Sequence, residues 1–164
     1  MIVSDASPLI LFAKIKKIDL ILDLFKEPVI IEETVKKEII DAGLRERFSD
    51  AIYLNKLVNE KKIHVKQAKK FTKIIGIHEG EAKTIFLALE LKEENILIDE
   101  EDGRAAARAL GLKPKGSLFI LLQSAKNKKI SKKEAIAALN LLIKNNYRIS
   151  SKYYSQFLEK LEEL

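Results

Sequence analysis

The chain has 164 residues, 47% of them hydrophobic, which is enough for a full core and rules out wholesale disorder. It contains no Cys, so disulfides and thiolate metal sites are excluded, and its two His are too few for a His-rich zinc site. Lys and Arg number 30 against 24 Asp and Glu, a net charge of +6 that suits a polyanionic partner without requiring one.

The elements follow in chain order. Ile2-Val3-Ser4 reads as a short buried strand, and Asp5 closes it. Ser7 suits a helix N-cap and Pro8 the first helical position, opening a helix through Leu9, Leu11, Phe12 and Ile15. A second short helix is expected over Asp19 to Phe25, then a strand from Pro28 to Ile31. Glu32 to Asp41 reads as a helix with Gly43 as its C-terminal cap, and Phe48 to Glu60 as another. Ile63-His64-Val65 is a weak third strand, and the basic run from Lys66 to Ile75 is expected to be helical, ended by Gly76. Glu79 to Leu91 has the periodicity of an amphipathic helix. Asn95 to Ile98 is a fourth strand, closed by Asp99. Asp102 to Leu110 is a helix stopped by Gly111, and Leu112-Lys113-Pro114 marks a short fifth strand. Gly116-Ser117 opens an apolar helix over Leu118 to Ala125. Ser131 and Glu134 match a capping box, and a last helix carries Tyr153, Phe157 and Leu161 on one stripe, with Tyr153 and Phe157 expected in the core.

Strands alternating with helices call for an α/β fold, a parallel sheet covered on both faces. No Pro/Gly/Ser linker divides the chain, so one domain over residues 1–164 is expected, its motifs in 1–125 and its C-terminal helices packed on them. No apolar run approaches the roughly 18–20 residues of a membrane span, and no signal-like layout opens the sequence. A cytoplasmic protein without a membrane partner is expected. High Lys and Glu content without Cys or Trp leans toward a thermophilic source.

The acids carry the functional signal. Asp5 and Asp99 close strands, where parallel α/β sheets build their sites. Glu38 borders the apolar stripe of its helix, Glu81 lies in the first turn of another, and Asp102 follows Asp99 by three residues. Each also has a plain structural role: Asp5 as a turn acid at a helix start, Glu38 as a surface residue, Glu81 as a dipole partner, Asp102 as an N-cap. Together they repel one another unless a hard cation sits among them, and an all-oxygen set suits Mg²⁺ or Mn²⁺. Such ions act on phosphodiesters. Around them, Arg104, Lys113 and Lys115 are candidates for holding phosphate, and the Ser7 hydroxyl could orient water or phosphate beside Asp5. Glu79 pairs with Lys83 at i+4 and is expected to be solvated. His64 reads as a core or edge residue and His78 as a capping or solvent one. No Walker loop, GxGxxG or Ser-His-Asp arrangement competes.

The segments Ile2-Val3-Ser4-Asp5-Ala6-Ser7-Pro8-Leu9-Ile10, Thr34-Val35-Lys36-Lys37-Glu38-Ile39, Gly80-Glu81-Ala82-Lys83-Thr84-Ile85 and Leu97-Ile98-Asp99-Glu100-Glu101-Asp102-Gly103-Arg104 resemble PIN domains. Lys115-Gly116-Ser117-Leu118 and the overall spacing are similar to a VapC-like prokaryotic subgroup. The resemblance implies an α/β/α sandwich with strand order 3-2-1-4-5 and an Mg²⁺- or Mn²⁺-dependent ribonuclease. By motif, Asp5, Glu38, Glu81 and Asp99 would be its acidic quartet and Asp102 a fifth contributor. It also implies RNA as substrate, a cognate antitoxin for a toxin, and a homodimer. Glu81 stands where many members have Asp, which lengthens its reach by one methylene. Two other readings stay open: a non-catalytic PIN-like module that binds RNA or protein, and a receiver-like phosphoacceptor. The latter lacks its Asp, since Ile63-His64-Val65-Lys66 offers none.

Overall fold

The computed structural model describes residues 1–26 and 28–164. Strands β1 (Ile2–Ser4), β2 (Val29–Glu32), β3 (Ile63–Lys66), β4 (Asn95–Leu97) and β5 (Lys113–Lys115) form one parallel sheet in the order β3-β2-β1-β4-β5. The central strands are β-branched and apolar, as strands covered on both faces must be. β1 and β2 are buried along their whole length. β5 reads Lys-Pro-Lys and lies at an edge, where a proline's missing N–H is tolerated.

Alternate strand residues face opposite layers. Ile2, Ile31 and Leu97 join one core with Leu9, Phe12, Leu54, Leu121 and Phe157, whereas Val3, Ile30 and Ile96 join a second with Ile85, Ala88 and Ala107. The first layer is built by α1 (Ala6–Lys14), α2 (Asp19–Phe25), α5 (Ser49–Asn59), α8 (Ser117–Lys126), α9 (Lys132–Lys144) and α10 (Ser151–Glu162). The second is built by α6 (Glu79–Glu90) and α7 (Glu101–Ala109). Between β2 and α5 the chain runs through α3 (Glu33–Lys36), a π-helical turn (Lys37–Asp41) and α4 (Ala42–Arg45). The fold is thus the expected α/β/α sandwich with the expected strand order.

The order reverses between β1 and β4: the chain moves outward from β1 through β2 and β3, then returns to β4 on the other side. Such a switch point opens a crevice at the carboxyl ends of the two strands. The Asp5 N–H donates to the Leu97 carbonyl at 2.9 Å, carrying the β1–β4 ladder to the lip of that crevice.

Several local expectations are corrected. α1 begins at Ala6 with Asp5 as its N-cap position, so Ser7 and Pro8 lie inside the first turn. α7 begins at Glu101 with Glu100 at the cap, so Asp102 is a first-turn acid and not an N-cap. The helix read from Glu32 to Asp41 is broken: Glu32 ends β2, and its carboxylate accepts from the Thr34 N–H at 2.6 Å and caps α3. The basic run from Lys66 to Ile75 is not helical. β3 takes Lys66, and acids on other elements hold the backbone that follows. Glu32 accepts from the Ala68 N–H at 3.3 Å, and Glu90 accepts from the N–H groups of Lys69 and Lys70 at 3.2 and 2.9 Å. Those donors are no longer available for a helical ladder. Gly76 does take a left-handed φ of +81° at the end of this segment. Tyr153, expected in the core, is 50% exposed, while Phe157 and Leu161 on the same stripe are buried.

Gly43 is not a C-cap but lies within α4, where it packs against α5. A Cβ there would stand 2.5 Å from the Ala51 Cβ. Alanine would gain about 1 kcal/mol of helix propensity, but it would push two helices apart. We expect Gly43→Ala to be net destabilising by up to about 2 kcal/mol, read as a lower urea midpoint at unchanged slope. An unchanged midpoint would mean that α4 and α5 separate without loss.

Candidate active site

An open cleft of about 1580 Å³ lies at the carboxyl edge of the sheet. Asp5, Ser7, Glu38, Glu81, Asp99, Asp102, Arg104 and Lys115 all line it, from five separate stretches of chain. Lys113 does not. It sits at the start of β5 and pairs with Glu94, so the phosphate role read for it from the sequence has no support in its position. Glu79 faces the cleft rim and pairs with Lys83 at 2.6 Å, as its spacing implies. His64 is exposed on the edge strand β3, and His78 is exposed just before α6.

Asp5 is 5% exposed, directly after β1. Burial pushes its carboxyl up from its ordinary 3.8 to about 7. The Ala6 and Ser7 amides oppose that rise without closing a side-chain cap bond, and the charges of Glu81 and Glu38 add to it. Glu81 is also buried, and burial raises its pKa in turn. One of its oxygens, Oε2, accepts from the His78 N–H at 3.2 Å. The other, Oε1, is buried without a hydrogen-bond partner among the described residues. Gly103 makes room for it: a Cβ at that position would lie 2.7 Å from Oε1.

Asp99 is held differently. The Ser117 N–H donates to its Oδ1 and the Ser117 hydroxyl to its Oδ2, both at 2.7 Å. Burial raises the Asp99 pKa, while the Ser117 bonds and the Arg104 charge pull it back. Gly116 allows this approach, since a Cβ there would stand 2.8 Å from Asp99 Oδ1 and 2.6 Å from an Arg104 nitrogen. Arg104 also reaches the Ile98 carbonyl at 3.5 Å, so the guanidinium lies at the strand end beside the acid.

Glu38 reaches the cleft from the π-helical turn, in which Ile39 and Ile40 are both buried. Such turns are rare and concentrate at functional sites. The sequence reading anticipated the acid but not the turn.

Two contributors escaped the sequence. Ser117 carries a short signal, a hydroxyl at a helix start within the Lys115-Gly116-Ser117-Leu118 segment, and nothing local marks it as the partner of Asp99. The connection between α9 and α10, with Tyr147 and Arg148, forms a wall of the cleft. Burial raises the Tyr147 hydroxyl pKa, with the negative charge of Asp99 acting in the same direction. No local pattern marks these residues, because only the packing of α10 on α8 brings them to the sheet edge.

The donor set is all oxygen, rich in carboxylate, and has one buried orphan acceptor. It fits a hard divalent cation in composition. Among the described residues, no three carboxylates or imidazoles already stand close enough to form a closed cage. The cleft gathers these acids together with the cations Arg104, Lys115 and Arg148 along its lining.

No curated protein and no solved structure matches the chain. A family model described as a PIN domain matches residues 1–163. That match, together with the parallel order β3-β2-β1-β4-β5 and acids at the β1–β4 switch, assigns the chain to the PIN-domain family, whose fold is nuclease-like.

Proposed function

We propose that this protein is an Mg²⁺- or Mn²⁺-dependent endoribonuclease. The carrying observation is that Asp5 and Asp99 follow the adjacent strands β1 and β4 into one cleft, which Glu81 also lines with an oxygen that has no hydrogen-bond partner among the described residues. In this reading Asp5, Glu38, Glu81 and Asp99 hold the ion, with Asp102 as a further contributor. When bound, the ion polarises a phosphoryl oxygen and favours hydrolysis of the phosphodiester. Ser117 fixes both oxygens of Asp99. Arg104 and Lys115 engage phosphate, and Ser7 stands beside Asp5 in the first turn of α1, where backbone amides favour an anion. The resemblance to VapC-like proteins extends the proposal to a cytoplasmic, single-domain toxin that dimerises and is neutralised by an antitoxin.

A second reading has its own observation. Among the described residues the acids do not form a closed cage, an arrangement that also suits a PIN-like module binding RNA or protein without cleaving.

Incubating a labelled, partly structured RNA with the protein in Mn²⁺, Mg²⁺ or EDTA separates the two. Cleavage in either metal and none in EDTA is the expected result. Salt-dependent RNA binding without turnover in any metal would favour the module.

A further inference from the structure

Three wall residues of the cleft are aromatic, and all come from the last third of the chain. Phe119 lies in the first turn of α8, Tyr147 in the α9–α10 connection and Tyr153 in the first turn of α10. Core packing does not account for Tyr153. Its stripe partners Phe157 and Leu161 are each 1% exposed, yet Tyr153 is 50% exposed, so the stripe continues past the core and into the cleft. The Lys115 ammonium lies 4.7 Å from the centroid of the Phe119 ring, placing a cation and an aromatic ring together. Arg148 follows Tyr147 directly and is exposed on the same wall.

A cleft lined by both rings and cations, along with the acids, offers groups for the bases and for the phosphates of a single strand. In a duplex, stacked neighbours already cover the base faces. In an unpaired strand the faces are open to side-chain rings.

We propose that Phe119, Tyr147 and Tyr153 form a stacking platform for unpaired bases beside the scissile phosphate, with Lys115 and Arg148 on the adjoining phosphates. The platform rests on the nuclease reading for its place in a reaction. Its binding chemistry is open to an independent test. It restricts the enzyme to single-stranded stretches, and it tolerates sequence, because every base has a π face.

The test uses full-length protein carrying Asp5→Asn, so that bound strands are not consumed. The probe is an oligouridylate carrying one 2-aminopurine, whose fluorescence is quenched when the base stacks. Its deoxy counterpart and a blunt duplex of equal length run in parallel. Single strands are expected to bind more tightly than the duplex and to be quenched. Tyr153→Ala should bind them about five- to a hundredfold more weakly and lose the quenching, and Tyr153→Phe should restore both. Tighter binding of the ribose strand assigns RNA, and equal binding assigns single strands of either sugar. Unchanged binding by Tyr153→Ala, equal binding of the duplex, or no binding of any oligonucleotide overturns the platform; the last result would leave the wall to a protein segment. Wild-type cleavage is measured alongside. Quenching without cleavage refutes the nuclease reading and keeps the platform, whereas cleavage with unaffected Tyr153→Ala binding refutes the platform alone.

Discussion

Asp5→Asn is expected to lose metal-dependent RNA cleavage by at least about a hundredfold while the fold stays intact. Outer-shell partners of a metal alone are worth about ten- to a hundredfold, so a residue proposed as a direct ligand should exceed them. Asn has the shape of Asp and keeps one carbonyl oxygen, so the buried site after β1 is not opened. The charge is what disappears. Asp5 is the acid best placed for this test, because Glu81 and Glu38 both act on it through their charges. The same cleft supplies a control. Glu79 faces the rim, is largely exposed and is paired with Lys83, so Glu79→Gln should change cleavage by no more than about twofold. A single-turnover assay on one labelled RNA, with circular dichroism on both variants, reads the contrast. Near wild-type, EDTA-sensitive cleavage by Asp5→Asn would remove Asp5 from the proposed metal set.

Part of this candidate site is legible along the chain because two of its acids follow strand ends, and strand ends are set by local apolar runs. Asp5 and Asp99 fall out of Ile2-Val3-Ser4 and Ile96-Leu97-Ile98 in that way. The same rule also covers Glu32, which closes β2. It is buried but turned to structural work, capping α3 and holding Ala68. A strand-end acid is thus a candidate, and only its hydrogen-bond partners separate a site from a cap. The basic run after β3 misled for a related reason. Lysines at helical spacing have good intrinsic propensity, but remote carboxylates on Glu32 and Glu90 hold the backbone donors there, and those contacts span 20 to 36 residues. Lys113 and Lys115 are two apart in one strand, and the sequence treated them alike. The register places Lys113 opposite Asn95 at the start of β4 and Lys115 opposite Leu97 at the carboxyl edge, so only the second reaches the cleft. The cleft positions of Tyr147 and Tyr153 were not legible, and Tyr153 read as core, since their place depends on how the last helices dock.

The metal-free protein is expected to lose stability as the pH rises from about 4 to 7, against the usual trend for carboxylates. Below about pH 4, Asp5 carries its proton in both the folded and the unfolded chain and contributes no difference. Between its ordinary 3.8 and its folded value of about 7, the unfolded chain releases the proton while the folded chain keeps it. The folded state then binds more protons, so stability falls with pH through this window and levels off above about 7. One pKa unit corresponds to about 1.4 kcal/mol, so the full penalty is on the order of 4 kcal/mol. For a chain of this size that is a fall of roughly 10 °C in Tm. Glu81 and Asp99 are raised by burial as well and act in the same direction. Asp5→Asn should flatten the curve and make the metal-free variant more stable than the parent at pH 8. That gain, coupled to the loss of cleavage, could not come from misfolding. Mn²⁺ should reverse the trend in the parent, since a cation that replaces the proton binds the folded state best where the acids are ionised. At a hundred times its Kd it would add about 2.7 kcal/mol. Thermal melts at pH 5, 6, 7 and 8, in EDTA and in Mn²⁺, on both proteins, measure this directly. Parallel EDTA curves for parent and variant would mean that Asp5 is ionised at little penalty in the folded chain. A Mn²⁺ shift that is as large at pH 5 as at pH 8 would place the ion away from these acids.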